Sequence, residues 1–263
     1  MAMSVSFIDD DVIGMPSIQA EYFDGMQTWN DSCAVAAEAS LIRQFGFDIT
    51  EGQAAYISAQ HGWYQPGGGT SPGVIGNMMD LYDIDNHTVM HASFSDLAQE
   101  LSQGHGVIVG VRADQLWDQG AGFELKNFIC KAFGFDTNEY LPADHAIVVT
   151  GIDLSDPDNP MVLINDSGVP NGTAQAYPLD RFMDAWENSN FYYTATNDAL
   201  PSMTGELNSP GWGDIDWSQW FGVGVGALTF LETGSLEYSI ATGVATNNAL
   251  DHFFADESFV RTV

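Results

Sequence analysis

The sequence predicts an α+β fold, with helices in the first half and an antiparallel sheet built from the second. Three observations carry that reading. Apolar residues recur at helical spacing up to about residue 104, and short β-branched runs bounded by turn residues follow from residue 106. The chain of 263 residues is 45% hydrophobic, with Leu, Ile, Val, Phe and Trp spread along it, which is enough to bury a sizeable core.

Between Ser32 and Gly46 the apolar positions Val35, Ala39, Ile42 and Phe45 share one helical face, and Gly46 supplies the stop. The early turns carry Ala34, Ala36, Ala37 and Ala39, whose small side chains allow close packing on several sides, so this helix is expected to be central and buried. Asn30, Asp31 and Ser32 are each competent N-caps, which puts Cys33 in or beside the first turn. Thr50 and Gln53 form a capping box that opens a helix to about Gln60. Ser71 followed by Pro72 predicts another through "GVIGNMMDLY", and "SFSDLAQELSQG" a further one ending at Gly104.

The period then changes. "GVIVGVR" (106–112), "HAIVVTGI" (145–152) and "MVLIND" (161–166) read as core strands. "PLDRFMDAW" reads as a short helix with Pro178 at its start, and "NFYYTAT" as a last strand. Residues 114–143 fit neither template and are expected to form a long surface excursion. The chain thus divides into an N-terminal extension (1–16), one α+β domain (17–197), a turn-rich linker (198–213) and an apolar tail (214–263). The tail is expected to form a helix packing on the domain or on a second copy of the chain, giving a homo-oligomer. Its apolar run stops at Glu232, well short of the ~20 residues of a membrane span.

Thirty-six acidic residues against six basic ones give a formal charge of −30. Nucleic acid and anionic membranes are bound chiefly through Lys and Arg, so neither is an expected partner. The acidity suits a salt-adapted surface; Asp-rich loops such as "DLSDPDNP" (153–160) raise calcium as a second reading, although that loop lacks an EF-hand's glycine and terminal glutamate. The first sixteen residues show no secretory pattern, so the protein is expected in the cytoplasm, or is exported by a leader not visible in this chain. With two cysteines there is no disulfide framework; a Cys33–Cys130 bridge and a lone functional thiol are both open.

A thiol at a helix N-terminus sits in the positive end of the backbone dipole, which favours the nucleophilic thiolate. Such a nucleophile needs a base, and of six histidines only His145 opens an evident core strand. That strand and the next form a hairpin across "DLSDPDNP". In one register position 145 faces 166, and in the next it faces 168; either way Asp166 shares the face of His145. A turn of the other parity presents Asn165 instead. Either side chain can orient an imidazole. Gln27, six residues before Cys33, offers an amide for an oxyanion, in partnership with the nucleophile's own backbone N–H.

Gln27 and Cys33 at a helix start, "DHAIVVTGID" opening on His145 and "LIND" closing the next strand together resemble the papain-like cysteine peptidases, in particular their C39-like branch. The resemblance spans roughly residues 17–197 and includes the closing "PLDRFMDAWENSNFYYTAT". It implies a papain-like fold in which a helical half carries the nucleophile and an antiparallel sheet carries His and Asp. It also implies the roles: Cys33 as nucleophile, His145 as general base and acid, Asp166 as orienting acid with Asn165 as the lesser alternative, and Gln27 as oxyanion donor. No metal or organic cofactor is implied, and the substrate is a peptide or protein. The plant-papain signature is absent, since "NDSCAV" stands in its place. Two other readings use the same residues or scaffold: a thiol acyltransferase or amidase, and a noncatalytic assembly or binding protein. "GWYQPGGGTSPG" (62–73) is a candidate cleft wall.

Overall fold

The computed structural model describes residues 11–117, 142–156 and 158–201. The expectations for residues 1–10, for most of the excursion after Trp117, for Cys130 and for the apolar tail lie outside these.

The central helix is α2, Cys33–Gln44, following a short α1, Pro16–Ala20. Gly46 follows α2 with φ +91°, the left-handed conformation that glycine tolerates best. Helix α3, Glu51–Gln60, opens on the predicted reciprocal cap: Gln53 N donates to Thr50 Oγ1 and the Gln53 side chain accepts from Thr50 N. The helix expected from Ser71 to Tyr82 is broken. A 3₁₀ turn spans Pro72–Val74 and α4 spans only Asn77–Asp80, because Gly76 between them takes φ +107° with Asn86 packed against its α-carbon. Helix α5, Phe94–Ser102, carries a second reciprocal cap between Ser93 and Asp96.

The sheet is antiparallel throughout. Strands β4 (Asn86–Val89), β9 (Tyr193–Thr196), β5 (Val107–Val111), β6 (His145–Asp153), β7 (Met161–Asn165) and β8 (Gln175–Pro178) lie in that order. Strand β1, Val12–Gly14, pairs with the far end of β6, so the segment set apart as an extension contributes an edge to the sheet. A separate two-stranded hairpin, β2 (Tyr64–Gln65) and β3 (Gly69–Thr70), occupies the glycine-rich stretch. Helices α6, Ala113–Trp117, and α7, Leu179–Glu187, complete the described fold; α6 begins the excursion that the sequence left unassigned.

Alternation along β5 and β6 divides the core in two. Val107, Val109, Val111, Ile147 and Val149 pack with Phe94, Leu97 and Leu101 of α5 and with Phe182 and Trp186 of α7. Ile108, Ala146 and Val148 face the other way, onto Ala34, Val35, Leu41 and Ile42 of α2. The small residues of α2 do let it lie close: Ala34, Val35, Ala37, Ala39, Leu41 and Ile42 are all buried.

Candidate active site

Cys33 is the first residue of α2, and its thiol is free. Ser32 stands at the N-cap position without capping through its side chain; its hydroxyl lies 2.8 Å from Trp29 O and 2.6 Å from Glu51 Oε1. The first backbone N–H groups of α2 are therefore left without that partner. Glu51 also accepts from Thr28 N and Thr28 Oγ1, while Asp31 accepts from Tyr64 OH and Gly67 N. Two acidic side chains thus tie the loop ahead of Cys33 to α3 and to the β2–β3 hairpin, the predicted cleft wall.

His145 is the first residue of β6 and is buried, 8% exposed. Its Nε2 donates to Asp166 Oδ1 across 2.6 Å. The Cys33 thiol is coupled to His145 through hydrogen bonding and charge, and with Nε2 committed to Asp166 the nitrogen left to face the thiol is Nδ1. Burial pushes the Cys33 thiol up, but the hydrogen bond and positive charge of His145, with the backbone N–H groups of Ala146 and Ala34, outweigh it and hold the thiol below its ordinary value. Burial pulls His145 down, yet hydrogen bonds and charges from Asp166 and Cys33 carry it well above an ordinary histidine. Both shifts run in the direction that favours a thiolate–imidazolium pair.

Asp166 is 0% exposed and fully employed. His145 Nε2 and Gly168 N both donate to Oδ1, the latter at 2.8 Å, and Trp117 Nε1 donates to Oδ2 at 2.7 Å. Burial raises its carboxyl, while these donors lower it further, so that it stays ionised. Asn165 points elsewhere: its Nδ2 donates to Gln19 O at 3.3 Å and its Oδ1 accepts from Ala174 N at 2.9 Å.

A bulge decides between these two neighbours. Near the turn the β6–β7 ladder pairs Asp153 with Met161 and Gly151 with Leu163, a parity that would bring Asn165 to the face of His145. The register shifts between Val149 and Gly151, and beyond it Val149 pairs with Ile164 and Val148 with Asn165. The extra residue, Thr150, turns Asp166 and Gly168 onto the face of His145. This is the second of the two registers that the sequence allowed.

Gln27 is joined to the strand end that carries Asp166. Its backbone N donates to Ser167 O at 2.8 Å, its Oε1 accepts from Ser167 Oγ at 2.9 Å, and its Nε2 donates to Trp29 O at 2.7 Å. One hydrogen of that amide is thereby used and the other remains. Trp117 and Gly168 were not identified from sequence. Neither has a local signal, since both are brought in by tertiary structure.

Among the described residues no group of three or more His, Cys, Asp and Glu side chains is arranged to hold a metal ion. In the Asp-rich loop Asp153 and Asp156 accept from the backbone of Ser155 and Asp158. No helix among the described residues is long and apolar enough to cross a membrane. A surface cavity of about 530 Å³ lies along α3, lined by Asp48, Ile49, Tyr56 and Tyr82 among others, and none of the predicted site residues lines it.

Residues 18–194 match the model of the Peptidase_C39 like family. Uncharacterized proteins of Mycobacterium tuberculosis and Mycobacterium bovis are 31% identical over 139 residues, 49% of this chain and 54% of theirs; the chain spans about half the length of the curated relatives it matches. A crystal structure described as that of a C39-like peptidase from Bacillus anthracis aligns with a TM-score of 0.49 at 12% identity, covering 73% of this chain and 100% of that one.

Proposed function

Because the chain belongs to the Peptidase_C39 like family, we propose that it cleaves peptide bonds, with Cys33 as nucleophile, His145 as general base and acid, Asp166 as the orienting carboxylate and Gln27 as an oxyanion donor. The observation that supports this best is a thiol at a helix start coupled to a buried imidazole, which is itself hydrogen-bonded to a buried carboxylate.

The Cys33 thiolate attacks the carbonyl carbon and the C–O π pair moves onto oxygen. The backbone N–H at the start of α2 and the Gln27 amide receive that oxyanion. As the intermediate collapses, the C–N bond breaks, the departing amine takes the proton of the His145 imidazolium, and a thioester forms on Cys33. His145, now neutral, then draws a proton from water as it attacks the thioester carbonyl. The C–S bond breaks, releasing a carboxylic acid and restoring the thiolate–imidazolium pair. Asp166 keeps the imidazole in one orientation and stabilises its cationic form without taking its proton.

The test is a peptide panel cleaved by the wild-type chain and by Cys33→Ala, with products weighed by mass spectrometry in the presence and absence of an added amine. Cleavage by wild type and a loss of roughly 10⁴-fold or more in the variant is the expected result. Full activity in Cys33→Ala overturns the assignment. Amine-containing products would identify the acyl acceptor as an amine in place of water.

A further inference from the structure

The two oxygens of Asp166 are held differently. Oδ1 accepts from His145 Nε2 and Gly168 N, whereas Oδ2 accepts from Trp117 Nε1 at 2.7 Å. The Trp117 ring also meets the His145 ring edge to face, with centroids 5.1 Å apart and planes at 65°. It reaches this place because residue 168 has no side chain. A Cβ there would lie 2.6 Å from Trp117 Cζ2 and 2.8 Å from His145 Cε1, closer than carbon atoms approach.

Trp117 is delivered by α6, a short helix fastened to α7 and its surroundings. Arg112 N donates to Ala185 O at 2.9 Å, Arg181 Nε to Gln115 O at 3.2 Å, and Asn188 Nδ2 to Gln115 Oε1 at 2.6 Å. The N–H edge of the indole is thus committed to the Asp166 carboxylate, while the residue as a whole remains 36% exposed.

We propose that Trp117 is a positioning residue of this site: its indole N–H fixes the second oxygen of Asp166 so that the first stays on His145, and its ring packs edge to face with the His145 ring, with Gly168 providing the room. The inference rests on the reading of Cys33 and His145 as an activated pair. A buried carboxylate that loses the donor to one of its oxygens is held less firmly and is easier to protonate. Once protonated, Asp166 no longer supports the imidazolium, and the thiolate is lost at a higher pH.

The experiment is the rate of Cys33 alkylation by iodoacetamide against pH, followed on the Cys33 peptide by mass spectrometry, for wild type, Trp117→Phe and Gly168→Ala. Trp117→Phe keeps a ring and removes the donor; Gly168→Ala keeps the donor and fills its space. In both, the acidic limb of the profile is expected to move up by about one pH unit, the size of shift that loss of a charge-assisted hydrogen bond produces. A purely structural role for Trp117 leaves that limb in place in the folded variants, and this result overturns the proposal while the activated pair stands. A wild-type profile like that of a plain thiol, with a pKa near 8.5, overturns both. A measurement on the unaltered chain guards against variants that do not fold. By NMR, the Trp117 indole proton is expected to exchange with solvent slowly although the residue is partly exposed, and exchange as fast as that of a free indole contradicts the proposal.

Discussion

At the scale of single residues, Asp166 is the most constrained group in the site. Three N–H donors converge on its two oxygens, and it is 0% exposed. Asp166→Asn leaves one oxygen and an amide nitrogen to face those donors, so at least one buried donor loses its partner. The expected result is a loss of about 1–3 kcal/mol in denaturant unfolding at neutral pH. The sign of the pH dependence follows from the lowered carboxyl. Its contribution is fully present above the unfolded carboxylate value near 4 and disappears as pH falls through the lower folded value, so the wild-type advantage over Asp166→Asn shrinks in acid. An equal difference at every pH would contradict this. Sequence spacing made Cys33, His145, Gln27 and the pair Asn165/Asp166 legible as candidates. It left the choice within that pair open, because strand parity depends on the bulge at Thr150, which no residue pattern announces.

At the scale of elements, α2 carries a second buried acid. Glu38 is 2% exposed and accepts from Gly76 N at 2.8 Å and Met78 N at 3.3 Å. Burial outweighs these bonds and pushes its carboxyl up to about 7. A raised acid favours the folded state fully below its unfolded value and loses that advantage as pH rises through the folded one. Ionisation of Glu38 is thus expected to cost on the order of 3 kcal/mol above neutral pH. Glu38→Gln keeps an oxygen for both backbone donors and removes the charge. Its melting temperature is therefore expected to exceed that of wild type above pH 7, with the gap closing towards pH 5; a variant less stable than wild type at pH 8 would contradict the account. The long elements with strong periodicity, α2, α3, α5, β5, β6 and β7, were legible, as were the caps at Thr50 and Gly46. Strands β1, β4 and β8 were not, since each has only three or four residues and exists through pairing with a neighbour. The helix predicted after Pro72 failed at Gly76, where close contact with Asn86 selected a left-handed glycine.

At the scale of the whole molecule, the chain carries a formal charge of −30, most of it on acidic side chains outside the site, while the site depends on one compact set of charges. Self-repulsion across the surface is screened by salt, with a Debye length of ~10 Å at 0.1 M and ~3 Å at 1 M, whereas the pair formed by Cys33 and buried His145 is screened much less. The melting temperature is expected to rise by several degrees between those salt concentrations, while the acidic limb of Cys33 alkylation stays in place. A melting temperature that is flat or falls with salt would contradict this view of the surface. The acidity and the order of elements were open to reading from composition and periodicity; the convergence of α2, β6, the end of β7 and α6 around His145 was not, because long-range packing sets it. The charge on the Cys33 thiol is read directly from the ultraviolet absorbance of the thiolate in wild type minus Cys33→Ala, titrated from acid to alkaline pH. Thiolate is expected to form at a lower pH than in an ordinary cysteine; a single transition near 8.5, as for an unperturbed cysteine, would contradict an activated pair.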